Sequence, residues 1–88
     1  MNTYELLISS PDGQIFKGYV LSLSVRGVEG DLAVMAGHIP FVTPVVACDC
    51  KVYLEDGTEK NGHTDGGLLT VGKDLVTLLS GSFRWIGE

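Results

Sequence analysis

Apolar and polar residues alternate over short stretches along the whole chain, and glycine, proline and aspartate punctuate them. Tyr4, Leu6 and Ile8 share one face of a strand over residues 4–9, which Ser10-Pro11-Asp12-Gly13 closes with a turn. A short strand over 14–17 ends at Gly18. Residues 19–25 alternate next, with Tyr19, Leu21, Leu23 and Val25 toward the core and Ser22, Ser24 and Arg26 away from it. Leu32, Ala33, Val34 and Met35 are all apolar, so that strand is expected to be covered on both faces, by the core and by a partner. Pro44 confines the segment from Phe41 to an edge or a corner. Residues 45–55 carry Val52 and Leu54 inward, Asp56-Gly57 is the strongest hairpin signal, and residues 58–64 form its polar return. After Gly66-Gly67, strands over 68–71 and 75–80, joined by a Gly72-Lys73-Asp74 turn, close the series. Segments recurring at roughly eight- to twelve-residue intervals with no sustained helical period predict an all-β two-sheet sandwich or flattened barrel of short antiparallel strands.

Residues 25–43 concentrate the punctuation. A Gly27-Val28-Glu29-Gly30 turn with an acidic tip precedes Asp31, and its two glycines admit positive φ on both sides. A Gly37-His38-Ile39-Pro40 corner follows, where Pro40 holds Ile39 extended and sets the direction of exit.

The 88 residues make one domain, 1–88, able to bury roughly 60–70% of the surface its unfolded chain exposes. Eleven acids against six scattered cations give a net charge of −5, and no basic stripe exists to neutralise a phosphate backbone, which argues against nucleic acid as a partner. No apolar run approaches the roughly 18–20 residues of a spanning helix, and no signal or transit peptide is recognisable. The expectation is a soluble, unexported chain without direct membrane insertion.

Candidate chemistry is sparse. Cys48 and Cys50 point to one face of a strand, yet C-x-C with the dispersed His38 and His63 matches no zinc knuckle, and no metal site is expected. There is no nucleophile elbow and no evident carboxylate pair. The glycines at 27 and 30 are followed by neither a Lys-Ser/Thr pair nor a helix start, so no catalytic residue and no cofactor are expected. His38, alone beside a proline corner, reads as a packing or hydrogen-bonding residue rather than a working one.

Laid out in this order, the residues resemble the N-terminal β-sandwich domain of the epsilon subunit of the F-type ATP synthase, called delta in mitochondria. The opening pattern of that family is met by Pro11-Asp12-Gly13, Phe16, Gly18 and the valine-bearing strand from Val20 to Val25. Its central block is met by Gly27, Glu29-Gly30-Asp31, Val34-Met35, Gly37-His38 and Pro40-Phe41, and a later element by Gly66-Gly67-Leu68-Leu69-Thr70-Val71. Arg26 and Ala36 stand where prolines are usual and Ala33 where glycine is common. Glu88 falls where most members continue into a helical hairpin, so the expectation is the β-domain alone, without the hydrolysis inhibition or ATP binding of that hairpin.

The resemblance implies a non-catalytic rotor-stalk subunit that links the gamma subunit to the c-ring and couples ion translocation to ATP synthesis, peripheral to the membrane at its cytoplasmic face. It implies a c-ring-facing turn of Gly27, Val28, Glu29, Gly30 and Asp31, and a gamma-facing stretch with His38, Pro40, Phe41 and Thr43. A free-standing β-sandwich binding module is the alternative.

Overall fold

Strand β2 (Gly13–Gly27) is the spine of the computed structural model, which describes residues 2–87. Around it run β1 (Tyr4–Ser10), β3 (Gly30–Met35), β4 (Phe41–Val45), β5 (Cys48–Leu54), β6 (Glu59–Thr64), β7 (Gly67–Val71), β8 (Leu75–Ser80) and β9 (Phe83–Ile86). The hydrogen-bonded order is β1-β8-β7-β4-β2-β5-β6-β9, with β3 on β2 and β1 also on β2. Because β1 joins both β8 and β2, the five strands β1, β8, β7, β4 and β2 close a ring. The β4–β2 seam of that ring is thin: Gly27 opposite Val45, and the Val46 N–H donating to the Arg26 carbonyl at 3.0 Å. Among the described residues only β1 and β8 pair in parallel; the other ladders are antiparallel. This is the expected all-β flattened barrel.

The core forms where alternation points inward. Leu6 and Ile8 of β1, Val52 of β5, Leu69 and Val71 of β7, and Val76 and Leu78 of β8 are buried in one cluster with Val20, Leu23 and Val34. Burying aliphatic side chains of this size stabilises the fold by roughly 1.5–3 kcal/mol each. Asp56-Gly57 makes the predicted hairpin: Gly57 has φ +89°, and the Thr58 N–H donates to Asp56 Oδ1 at 2.8 Å.

Three expectations are corrected. The segments 14–17 and 19–25 are one strand, because β1 pairs across Gly18, which stands opposite Leu6. Within that strand the inward set changes phase. On the β5 ladder Val20 faces Leu54 and Ser22 faces Tyr53, so Leu21 is an extra residue. Val20 is therefore buried while Tyr19 is 55% exposed, and only Leu23 and Val25 keep the predicted side. On β3 Val34 is buried and Leu32 packs against the core, while Ala33 and Met35 are exposed on the other face, the one expected to meet a partner. Third, the series does not close at Ser80. β9 adds to β6, and its Phe83 and Trp85 meet edge to face with centroids 5.0 Å apart, Trp85 also meeting Phe16.

Candidate functional site

The β2–β3 turn and β4 lie side by side. β4 runs antiparallel to β2, but its ladder with β2 consists of Gly27 and Val45 alone, so the stretch before Val45 passes the turn unpaired on that side. A groove of about 370 Å³ opens between them, lined by Gly27, Glu29, Gly30, Asp31, Leu32, Phe41, Val42 and Thr43. The structure thus brings together two sets that the sequence placed apart: four of the five turn residues, and Phe41 and Thr43 of the following stretch. Val28 is not in the lining; its side chain is 62% exposed at the tip.

The glycines of the turn act differently from the expectation. Gly30 has φ +124°, but Gly27 has no positive φ. A Cβ on Gly27 would lie 3.0 Å from Leu32 Cδ2, so that glycine keeps β2 close to β3 instead of bending the chain. At the base of the turn Arg26 Nε donates to Asp31 Oδ1 at 2.9 Å. That hydrogen bond, followed by the carboxylate's charge, raises the Arg26 guanidinium above its ordinary value.

His38 and Pro40 do not line the groove. The His38 ring is held at both nitrogens, Nδ1 at 2.6 Å from the Met35 carbonyl oxygen and Nε2 at 3.0 Å from that of Gly72, and it meets Tyr4 edge to face. The Tyr4 hydroxyl in turn donates to the Val34 carbonyl at 2.7 Å, and burial pushes its phenol up. His38 is a strut for the corner, as its setting beside proline suggested. The Thr43 hydroxyl donates to the Pro44 carbonyl.

A second, larger groove of about 760 Å³ lies beside the first, lined in part by Arg26, Asp31, Ala33, Cys48, Asp49 and His63. Within it Arg26 pairs with Asp31 and His63 Nδ1 lies 2.8 Å from Asp49 Oδ1, while Lys51, also in the lining, reaches Glu59 outside the groove. Cys48 Sγ accepts the Arg26 N–H at 3.3 Å, and Cys50 is buried in the core, its thiol pushed up to about 12 by burial and then by Cys48. Among the described residues no three His, Cys, Asp or Glu side chains cluster as metal ligands would.

An apolar surface missing from the sequence reading lies on the outside of β4, β7 and β8. Pro44 stands opposite Leu68, and Leu68 opposite Leu79, so all three share the outer face, where Leu68 is 40% and Leu79 50% exposed. The signal was present in the doublets Leu68-Leu69 and Leu78-Leu79. Adjacent strand residues face opposite sides, so each doublet sends one leucine inward and one outward.

Residues 3–86 match the family described as ATP synthase, Delta/Epsilon chain, beta-sandwich domain. The chain belongs to that family. Solved structures carry the same fold. A chain of the Euglena gracilis mitochondrial ATP synthase, in a cryo-EM structure of OSCP/F1/c-ring, superposes with a TM-score of 0.91 at 23% identity, covering 98% of this chain and 55% of the Euglena chain. One from the Tetrahymena thermophila mitochondrial ATP synthase central stalk/c-ring superposes at 0.76 with 12% identity, covering 94% of this chain and 66% of its own. The delta/epsilon domain therefore spans about half the length of the Euglena chain it matches, and at these identities the likeness is one of fold.

Proposed function

We propose that this domain is a non-catalytic rotor-stalk element of an F-type ATP synthase, joining the gamma subunit to the c-ring so that ion translocation is coupled to ATP synthesis. The observation that carries the reading is the delta/epsilon family match over residues 3–86. The groove between the β2–β3 turn and β4 supports it, because it gives the two expected contacts one common place. On this reading the turn tip, Val28 and Glu29 framed by Gly27 and Gly30, meets the polar loops of the c-ring. Phe41 and Thr43, on a corner propped by His38 and Pro40, face gamma, and on the opposite face of β4 the outer row of Pro44, Leu68 and Leu79 gives gamma a second, apolar contact. Such an element transmits torque through rigid complementary contacts and needs no reacting group. It is peripheral to the membrane, held there through the complex, at the cytoplasmic face in a bacterial setting.

The test is capture of gamma and of detergent-solubilised c-ring from the source organism by the purified domain. Wild type is expected to retain both. Leu79→Gln should lose gamma while keeping the ring, since an exposed row contributes to docking more than to folding. Capture of neither partner by wild type overturns the proposal and leaves a free-standing module.

A further inference from the structure

The two acids of the turn are not equivalent. Arg26 and Asp31 face each other across the β2–β3 ladder, and the guanidinium Nε donates to the Asp31 carboxylate at 2.9 Å. The base of Arg26 is fixed on both sides: its N–H donates to Cys48 Sγ at 3.3 Å, and its carbonyl accepts from the Val46 N–H at 3.0 Å. A guanidinium launched from a pinned backbone loses less freedom on pairing than one on a loose loop, so the pair is favoured although both side chains are solvated. Asp31 lines both grooves while Arg26 lines only the larger, which makes the pair a ridge between them. Glu29, at the exposed tip, has no hydrogen bond or ion pair among the described residues.

We infer that Arg26 sets the charge of the docking turn by occupying Asp31, so that the turn offers its partner one uncompensated carboxylate, Glu29, beside the exposed side chain of Val28. The surface that fits is a polar loop with a single basic side chain and a small apolar neighbour. A turn with two free acids would select a doubly basic loop, and a cation brought beside Arg26 would be repelled. The inference rests on the reading of this turn as the ring contact for the identity of the partner, but not for the charge pattern itself.

Two measurements separate these. In the first, c-ring affinity is compared for wild type, Glu29→Gln, and the double variant Arg26→Gln with Asp31→Asn, which deletes a charge of each sign. Glu29→Gln should weaken binding roughly two- to fivefold, the range of one exposed ion pair, and flatten its salt dependence. The double variant should bind as wild type does. Equal weakening by the double variant would mean that Asp31 itself engages the ring, and the inference would be overturned. The second measurement needs no partner: relaxation of the Val28 and Gly30 amides by cationic and anionic nitroxide co-solutes reports the local potential. Arg26→Gln should raise the ratio of cationic to anionic effect, the double variant should restore it, and Glu29→Gln should lower it. An unchanged ratio in Arg26→Gln overturns the inference even if the ring binds. A wild type that binds no ring but shows the expected ratios sinks the rotor reading and leaves the charge assignment standing.

Discussion

His38 Nε2 lies 3.0 Å from the carbonyl oxygen of Gly72, 34 residues further along, and this contact ties the corner after β3 to the turn between β7 and β8. The other ring nitrogen meets the Met35 carbonyl oxygen at 2.6 Å. A neutral imidazole donates from one nitrogen only, so which of the two carbonyls receives the ring proton depends on the tautomer. Replacing His38 with alanine removes both contacts and leaves the corner without its link to the β7–β8 turn. We expect a loss of about 1–3 kcal/mol, seen as a lower midpoint of urea unfolding with unchanged slope. An unchanged midpoint would show that the corner holds without its strut.

Gly67 should be intolerant of any side chain. A Cβ there would lie 1.9 Å from the Leu79 carbonyl oxygen and 3.0 Å from Ser80 Cα, backbone atoms of the neighbouring strand that cannot rotate away. Gly67→Ala is therefore expected to destabilise by roughly 1–3 kcal/mol or to prevent folding, as overpacking does. Gly62→Ala, whose Cβ would meet the Phe83 ring at 2.4 Å, should be milder, because a side chain at an edge strand can turn aside. Thermal melts of the two variants give the comparison, and a Gly67→Ala melt equal to wild type would contradict the close approach of β7 to β8.

Cys48 and Cys50 should differ in reactivity although one residue separates them. Cys48 lines the larger groove, whereas Cys50 is buried with its thiol at about 12. Iodoacetamide at pH 8 is expected to modify Cys48 alone in the folded domain and both in urea, read by mass spectrometry. The same shift has a thermodynamic consequence. Cys50 keeps its proton in the folded state while the unfolded thiol loses it near pH 8.5, so stability falls with rising pH between about 8.5 and 12. Cys50→Ala should flatten that part of the alkaline profile, and equal slopes in the two proteins would contradict the assignment.

Asp56 contributes at the opposite end of the pH scale. The Thr58 N–H, donating at 2.8 Å, holds its carboxyl below the ordinary range, and the Thr58 side chain adds to this. A carboxylate lowered in the folded state adds stability that is present above the unfolded value, about 3.9, and lost as pH falls through the lower folded value. Asp56→Asn keeps an acceptor for the Thr58 N–H but cannot titrate. Its stability should be less dependent on pH below about 4 than that of wild type, as measured by chemical unfolding at a series of acidic pH values.

Local pattern in the sequence determined the strands whose environment alternates strictly. Tyr4, Leu6 and Ile8 face the core as their spacing requires, Pro44 confines β4 to a lightly paired position beside β2, and Asp56-Gly57 turns where its backbone chemistry demands. The glycine-rich block from Gly27 to Phe41 also pointed to the delta/epsilon family, because turn and corner residues carry their conformational requirements with them. Tertiary structure alone decided the rest. Whether Gly18 breaks a strand depends on whether β1 pairs across it, and the extra residue at Leu21 follows from the register that β5 adopts. Phe83 and Trp85 form an edge strand because β6 offers a free ladder, a property of residues some twenty positions away. The proximity of the acidic turn to Phe41, and the different fates of Asp31 and Glu29, likewise come from ladders that bring distant backbone together. Alternation records which side of a strand is apolar; it holds no record of which strand lies next to it, since that choice is made by the packing of the whole barrel.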